Sequence, residues 1–296
     1  MKLLILRLAK TLLSLPVYFV VMPLMVYEAC LKIIIGVKAM KVRDPILNWI
    51  SRSHMLVNIP YRQTHVGLKL LTPNYISAYR ATSYFDKEPE ILEWMDEFGH
   101  LGSFFDIGAN VGLYSMYYLS TQSGNVYSFE PSPFNLKSLA VHLSNNGFSD
   151  RGFLVPLPLT NNDGFKRLNF GSFDEGGALN AFGVDFDQNG DKFAGVASVM
   201  MLGCSIDFLF DRGLIEEVPA IVKVDVDGIE HLILAGAMNV LSSPKCKSVY
   251  VEVNDSFTDQ ARGVASILVE CGFELREKRK ESSEGDTYNQ IWVKRT

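Results

Sequence analysis

Cysteine is scarce, with four in 296 residues, at positions 30, 204, 246 and 271. None stands in a CxxC pair or at metal-ligand spacing. That excludes a zinc ribbon or a small disulfide-framed fold and predicts free thiols in a reducing compartment. A basic excess is also missing: 28 Lys and Arg face 33 Asp and Glu, and the net charge of -5 argues against a nucleic-acid partner. No internal repeat or low-complexity tract is present. The uncharged stretch 11–27 is short for a bilayer span. At about 1.5 Å per residue it reaches roughly 25 Å, against a hydrocarbon core of about 30 Å. Pro16 and Pro23 interrupt it as well.

Residues 1–40 nevertheless differ in kind from the rest. Lys2, Arg7 and Lys10 precede the uncharged stretch, Glu28 and Lys32 come after it, and a second apolar patch occupies 33–37. No A-x-A-like cleavage site is present, and the residues before Cys30 make a poor lipoprotein box. This segment is therefore expected to associate with a membrane rather than to form a core helix. Lys32, Lys38, Lys41, Arg43 and Arg52 outnumber the basic residues ahead of it, which orients the remainder of the chain to the cytoplasm.

The most informative stretch is residues 104–131, which read as strand, glycine turn, helix and second strand, with an acidic residue ending each strand. Asp106 precedes the turn Gly108-Ala109-Asn110-Val111-Gly112, and Glu130 ends the second strand. Such a unit binds nucleoside-containing ligands at the carboxyl ends of open α/β sheets, the second acid accepting the ribose hydroxyls. The two glycines, lacking Cβ atoms, are expected to let backbone approach the ligand closely. They stand at positions one and five, not in the GxGxxG spacing of dinucleotide sites, and Asp106 would repel a pyrophosphate. A cationic ligand suits it better. S-adenosylmethionine, with its ammonium and sulfonium, is such a ligand.

A second cluster lies in residues 220–241. Ile221, Val222, Val224 and Val226 make a buried parallel strand, with Asp225, Asp227 and Glu230 at its carboxyl end beside Lys223 and His231. Three carboxylates at one strand end repel one another unless a ligand or a base role offsets the cost.

Around these two units the pattern predicts an amphipathic helix over 45–57, a strand over 66–71, and a helix over 87–98 with Pro89 near its start. A helix capped by Ser132 and ended by Gly147 comes next, with Phe134, Leu136, Leu139, Ala140 and Leu143 as its buried stripe. A third strand is expected over 153–159, then a loop whose Asn162 faces the adenine of a nucleoside ligand. Residues 165–200 read as a substrate-facing insertion. Its Asp185, Asp187, Asn189 and Asp191 resemble a calcium loop, but Val196 stands where the closing glutamate belongs. Helices are expected from 205 and over 261–271, and strands over 248–253, 273–276 and 291–294, the last pair antiparallel.

The segments FDIGANVGLYS, SFEPSPFNLKSL, KVDVDGIEHLILAGA and VYVEVN, in that order, resemble the FkbM family of S-adenosylmethionine-dependent methyltransferases over roughly residues 66–280. The resemblance implies an α/β, Rossmann-like class I fold with a seven-stranded sheet, and methyl transfer to oxygen, often on sugars, polysaccharides or secondary metabolites. It also implies that Asp106, Gly108, Asn110 and Gly112 line the methionine part of the donor, that Glu130 holds the ribose, and that Asp225 lies near the transferred methyl. Asp225, Glu230 or His231 would take the acceptor proton. No spacing beyond Asp225, Asp227 and Glu252 supports a metal. Two departures are Asp227, where the family commonly has Glu, and the long insertion 172–196. The expected organisation is a membrane-associating segment 1–40, an extension 41–100 and a methyltransferase domain 101–296, acting on a small-molecule or glycan acceptor, lipid-linked if the membrane segment serves the substrate. A non-catalytic donor-binding scaffold is the alternative, and a nicotinamide-dependent oxidoreductase is disfavoured by the glycine spacing.

Overall fold

The structure, a computed structural model, describes residues 54–61, 64–83, 86–280 and 285–295, with isolated positions between 22 and 33. The chain divides into two units, 1–53 and 54–296. In the first, the described positions between 22 and 33 are helical. No helix among the described residues is long and apolar enough to cross a membrane. The expected membrane-associating segment and most of the helix expected over 45–57 lie outside the described residues. The end of the latter is corrected: His54–Tyr61 is a strand, β1, paired antiparallel with β2, Thr64–Leu71.

Two helices come next, α1 (Tyr75–Ser83) and α2 (Pro89–Phe98). The main sheet then begins with β3 (Phe104–Ile107), α3 (Leu113–Thr121), β4 (Val126–Phe129), α4 (Pro133–Asn145) and β5 (Gly152–Val155). A three-stranded antiparallel sheet interrupts it: β6 (Gly164–Phe170), β7 (Ala181–Phe182) and β8 (Ala197–Gly203). The insertion is thus partly a sheet, not an open loop. Its alternation is blurred because β8 carries exposed apolar residues such as Met200 and Leu202. The main sheet resumes with α5 (Ile206–Asp211), β9 (Ile221–Val224), α6 (Glu230–Ala235), α7 (Met238–Ser242) and β10 (Ser248–Asn254). It closes with α8 (Thr258–Glu270), β11 (Phe273–Lys280) and β12 (Thr287–Lys294).

Its seven strands run in the order β11-β12-β10-β9-β3-β4-β5. Every pairing is parallel except those of β12, which is antiparallel to both β10 and β11. Burial on both faces explains the apolar strands. Phe105, Val222 and Val251 point into one core with α6 and α8; their neighbours Phe104, Ile221 and Tyr250 point into the other, with Trp94 and Met95 of α2. A period of two divides one strand between two cores.

Helix α4 departs from its expected stripe. Ser132 precedes it but makes no side-chain cap, and Asn135, Ser138 and His142 are buried while Ala140 is exposed. These polar groups have partners. His142 Nε2 accepts from the Leu71 amide at 2.7 Å, while its Nδ1 lies 2.7 Å from Val111 O. Burial lowers the His142 pKa, and the neutral ring, donating from Nδ1, satisfies both contacts.

Candidate active site

The carboxyl ends of β3, β4 and β9 open onto a cavity of about 290 Å³, the usual position for ligands in such sheets. Apolar residues line one side, including Leu157, Leu159, Leu168, Phe182 and Ile233. Its polar side carries Asn110, Glu130, Asp225, Asp227, Gln188 and Glu252. A smaller lobe of about 60 Å³ shares Arg80, Lys87, Gly108, Asn110 and Asp225 with it and adds Glu88, Tyr114 and Lys223.

The glycine turn is built tightly, though not for the reason expected. Gly108 has φ +76°, and a Cβ there would stand 1.8 Å from the carbonyl oxygen of Asp225. A Cβ at Gly112 would meet Leu139 at 2.0 Å. Both glycines are required by packing against β9 and α4, and only Gly108 lines the cavity. Glu130 fixes the turn from β4. Its Oε2 accepts from the Asn110 amide and its Oε1 from the Ser132 amide, each at 2.8 Å. Burial pushes the Glu130 carboxyl up to about 7, against the pull of those amide bonds.

Beneath the turn lies a charged network. Asp106 and Lys223 are register partners on β3 and β9, 0% and 1% exposed. Lys223 Nζ is 3.5 Å from Asp106 Oδ1 and 3.1 Å from Asp225 Oδ2, and donates to Gly108 O at 3.3 Å. Ser115 Oγ donates to the other Asp106 oxygen. Burial opposes the Lys223 charge, yet Asp225 and Asp106 together raise its pKa above the ordinary lysine value. Burial likewise works against the Asp225 charge, but Lys223 and then Lys87 hold its carboxyl below the usual range. Asp106 supports the turn from below; neither the cavity nor its lobe is lined by it.

Asp227 differs from Asp225. It sits at φ 63°, and its Oδ2 accepts from the amides of Leu179 and Asn180 at 2.8 and 3.1 Å. No donor among the described residues engages its Oδ1. Burial, then the Asp225 charge, pushes Asp227 up to about 7. The non-glycine residues with positive φ among those described are Asn110, Leu179 and Asp227, and all three line the cavity. Asn and Asp adopt this conformation readily; Leu179 bears strain, as backbones at functional sites often do.

Two of the three expected proton acceptors are not at the cavity wall. Glu230 is 0% exposed and accepts from the amides of Val226 and Gly228, each at 3.1 Å, and from Gln260 Nε2. It shapes the turn that carries Asp227. His231 packs against Phe257 and Gly263 of the α8 region, and burial lowers its pKa. Helix periodicity explains the separation: residues 230 and 231 begin α6, past the turn that faces the cavity. Asn162 is exposed and donates to Asn161, outside the cavity lining. Leu157 and Leu159 line the cavity there instead, because the third strand ends at Val155 and its loop begins earlier than expected.

A strap formed by residues 175–180 has no signature in the sequence. Asn74, Ser77 and Arg80 hold its first carbonyls, Asn110 and Asn135 hold Gly177 O, Ser138 holds Glu175, and Asp227 holds its far end. Polar residues far apart along the chain converge here, and no local pattern could announce it.

The sheet order, with its single reversed strand, and the placement of the cavity define a class I methyltransferase-like α/β fold. The model of the methyltransferase FkbM domain matches residues 106–275, more than half of the chain, and the chain belongs to that family. Comparison with curated protein sequences gives no match. Among solved structures it is distantly similar to the methyltransferase FkbM of Methylobacillus flagellatus, at 14% identity and TM-score 0.44. That similarity covers 74% of this chain and 55% of the Methylobacillus protein's length. Others are a putative rRNA-methylase from Clostridium thermocellum (10% identity, TM-score 0.43, 71% and 97% covered) and the magnesium protoporphyrin IX methyltransferase of Synechocystis with bound S-adenosylmethionine (11%, 0.42, 75% and 85%).

S-adenosylmethionine is the cofactor that membership of this family implies, and the cavity's chemistry suits it. An apolar wall faces a carboxylate whose two oxygens each carry one amide bond, leaving acceptor capacity for vicinal hydroxyls. Anionic groups line the region beyond, where a sulfonium and an ammonium need them. The raised Glu130 and Asp227 pKa values have a consequence for the donor-free protein. A carboxyl whose folded pKa exceeds its unfolded one contributes stability at low pH and loses it as pH rises through the folded value. The melting temperature of the donor-free chain should therefore fall as pH rises from the ordinary carboxylate range to about 7 and level above it. Thermal scans across that range check it, and a flat profile would refute the assignment.

Proposed function

We propose that this chain transfers the methyl group of S-adenosylmethionine to a hydroxyl oxygen of a sugar or glycan. The observation that carries this reading is Asp227, a cavity-lining carboxyl pushed up to about 7 with one oxygen open, beside an Asp225 held ionised by Lys223. When bound, the donor supplies an electrophilic methyl carbon, and in-line transfer to oxygen needs no covalent group from the protein. The chain's own part is to orient the acceptor and take its proton. Asp227 Oδ1 is the proton acceptor, matched to neutral pH. Asp225, with its lower pKa, remains charged and orients. Gln188, Glu252 and Thr287 give that side of the cavity the hydrogen-bonding character a polyhydroxylated acceptor requires. Glu130 holds the ribose, and Gly108 and Asn110 border the methionine part.

The uncharged stretch 11–27 and the basic residues after it support a membrane-attached form with the catalytic unit in the cytoplasm, and hence a lipid-linked acceptor. Glu130→Ala tests the donor site. Removing a carboxylate that holds two hydroxyls should weaken S-adenosylhomocysteine binding roughly 10- to 100-fold by calorimetry. Unchanged binding rejects the ribose role. Transfer of a labelled methyl group to saccharide acceptors, lipid-linked and free, tests the acceptor class. Methylation of free chains as readily as lipid-linked ones would remove the lipid from the proposal.

A further inference from the structure

The small sheet of β6, β7 and β8 has two faces with different surroundings. Leu168 of β6 and its register partner Phe182 of β7 line the main cavity. On the other face, the register sets Phe165 opposite Leu202 and Arg167 opposite Met200. Residues two apart on a strand share a face, so these four side chains stand together. Phe165 is 70% exposed, Met200 59% and Leu202 47%, which makes a contiguous apolar surface. Arg167 is exposed too and meets no acid among the described residues.

Neither β6 nor β8 contains an acidic residue, in a chain whose acids outnumber its bases by 33 to 28. Asp163, next to β6, is turned to the Ser205 amide at 2.8 Å. An apolar patch with a cation in it suits an anionic lipid surface: the guanidinium stays with the headgroups while the apolar side chains enter among them. A second copy of the chain fits less well. It would bring like charges together with no acid to pair them, and three large apolar side chains fall short of the roughly 800 Å² each partner buries in a stable complex. Because β8 is an edge strand whose backbone groups need water, the contact is shallow.

We propose that the outer face of this sheet docks the catalytic unit on anionic lipid headgroups. The inference rests on the membrane-attached reading above and deepens it. It adds a contact made by the folded unit itself to the one expected of residues 11–27, and two contacts with one bilayer reinforce each other. The sheet that walls the cavity then lies against the membrane, which keeps the cavity close to a lipid-linked acceptor.

The full-length chain, reconstituted with phosphatidylcholine vesicles with and without phosphatidylserine, tests this through Phe165→Trp and quenching by brominated acyl chains. The unaltered chain corrects for the native tryptophans. Leu275→Trp, an exposed position on edge strand β11 of the main sheet, is the control. In mixed vesicles Phe165→Trp should be quenched several-fold more than Leu275→Trp, and adding Arg167→Glu should lower that quenching roughly 5-fold. Equal quenching at the two positions would overturn the docking face. Indifference to both phosphatidylserine and Arg167→Glu would overturn the recognition of anionic lipid. An emission shift of Phe165→Trp with protein concentration, in the absence of lipid, would give the face to a second copy instead. If the unaltered chain does not float with either vesicle, the membrane-attached reading fails as well; flotation without quenching at position 165 rejects this contact alone.

Discussion

Replacing Lys223 with methionine should lower the unfolding free energy by about 3–5 kcal/mol, the range for removing one partner of a buried charge group. For a unit of this size that shifts the melting temperature by on the order of 10 °C. The reason lies in the groups left behind. Methionine approximates the lysine stem, so packing changes little. Asp106, however, is 0% exposed, and Lys223 is its sole neighbouring cation among the described residues. Asp225 has a side chain 34% exposed and can recover some solvation, so the larger share of the cost falls on Asp106. The signs of the shifts set the pH dependence. Asp225, depressed when folded, stabilises above its unfolded pKa and loses that contribution as pH falls through its folded value. Lys223, raised when folded, stabilises below its unfolded pKa and loses that only as pH climbs through the folded one. Both contributions coexist throughout the neutral range, so the variant's deficit is greatest there and shrinks in acid, where Asp225 protonates. Adding Asp106→Asn should recover much of the loss. Equal melting of Lys223→Met and the parent chain would show that the network does not carry the turn.

Much of the fold was legible because each signal was local. The strand ends Asp106 and Glu130, the glycines between them and the apolar run before Asp225 are contiguous features, and the structure places them at adjoining strand ends. The antiparallel last pair was readable from the polar stretch joining two strand-like segments. What failed to show was set by distant packing. The glycines at 108 and 112 suggested close approach of a ligand, whereas Asp225 O and the Leu139 side chain are what exclude a Cβ there. Glu230 and His231 looked equivalent to Asp225 in a line of letters. The strand–turn–helix junction between them rotates both away from the cavity, Glu230 into the turn and His231 toward α8. Arg80 gave no signal at all, since its meaning depends on a strap far along the chain. Asp227 could have been found. An aspartate before a glycine at a strand end favours the left-handed turn it adopts, and that turn aims it at the cavity.

Asp227→Asn should lower kcat by roughly 10²- to 10⁴-fold, the range for removing a general base, with donor affinity nearly unchanged. Asparagine is suited to isolate the proton transfer. It tolerates positive φ, and its carbonyl oxygen can still accept from the Leu179 and Asn180 amides, so the strap keeps its anchor. What it cannot do is take a proton. In the parent chain the base must be ionised, so the rate should rise with pH through about 7 and then level; in the variant that rise should vanish. Asp225→Asn offers the contrast. Its carboxyl is already ionised well below neutrality, so any loss there should leave the rise near pH 7 in place, although removing the negative charge beside Asp227 moves that rise downward. If instead the rise survives in Asp227→Asn and disappears in Asp225→Asn, the proton goes to the carboxylate that Lys223 holds, and the open oxygen of Asp227 serves only to bind the acceptor.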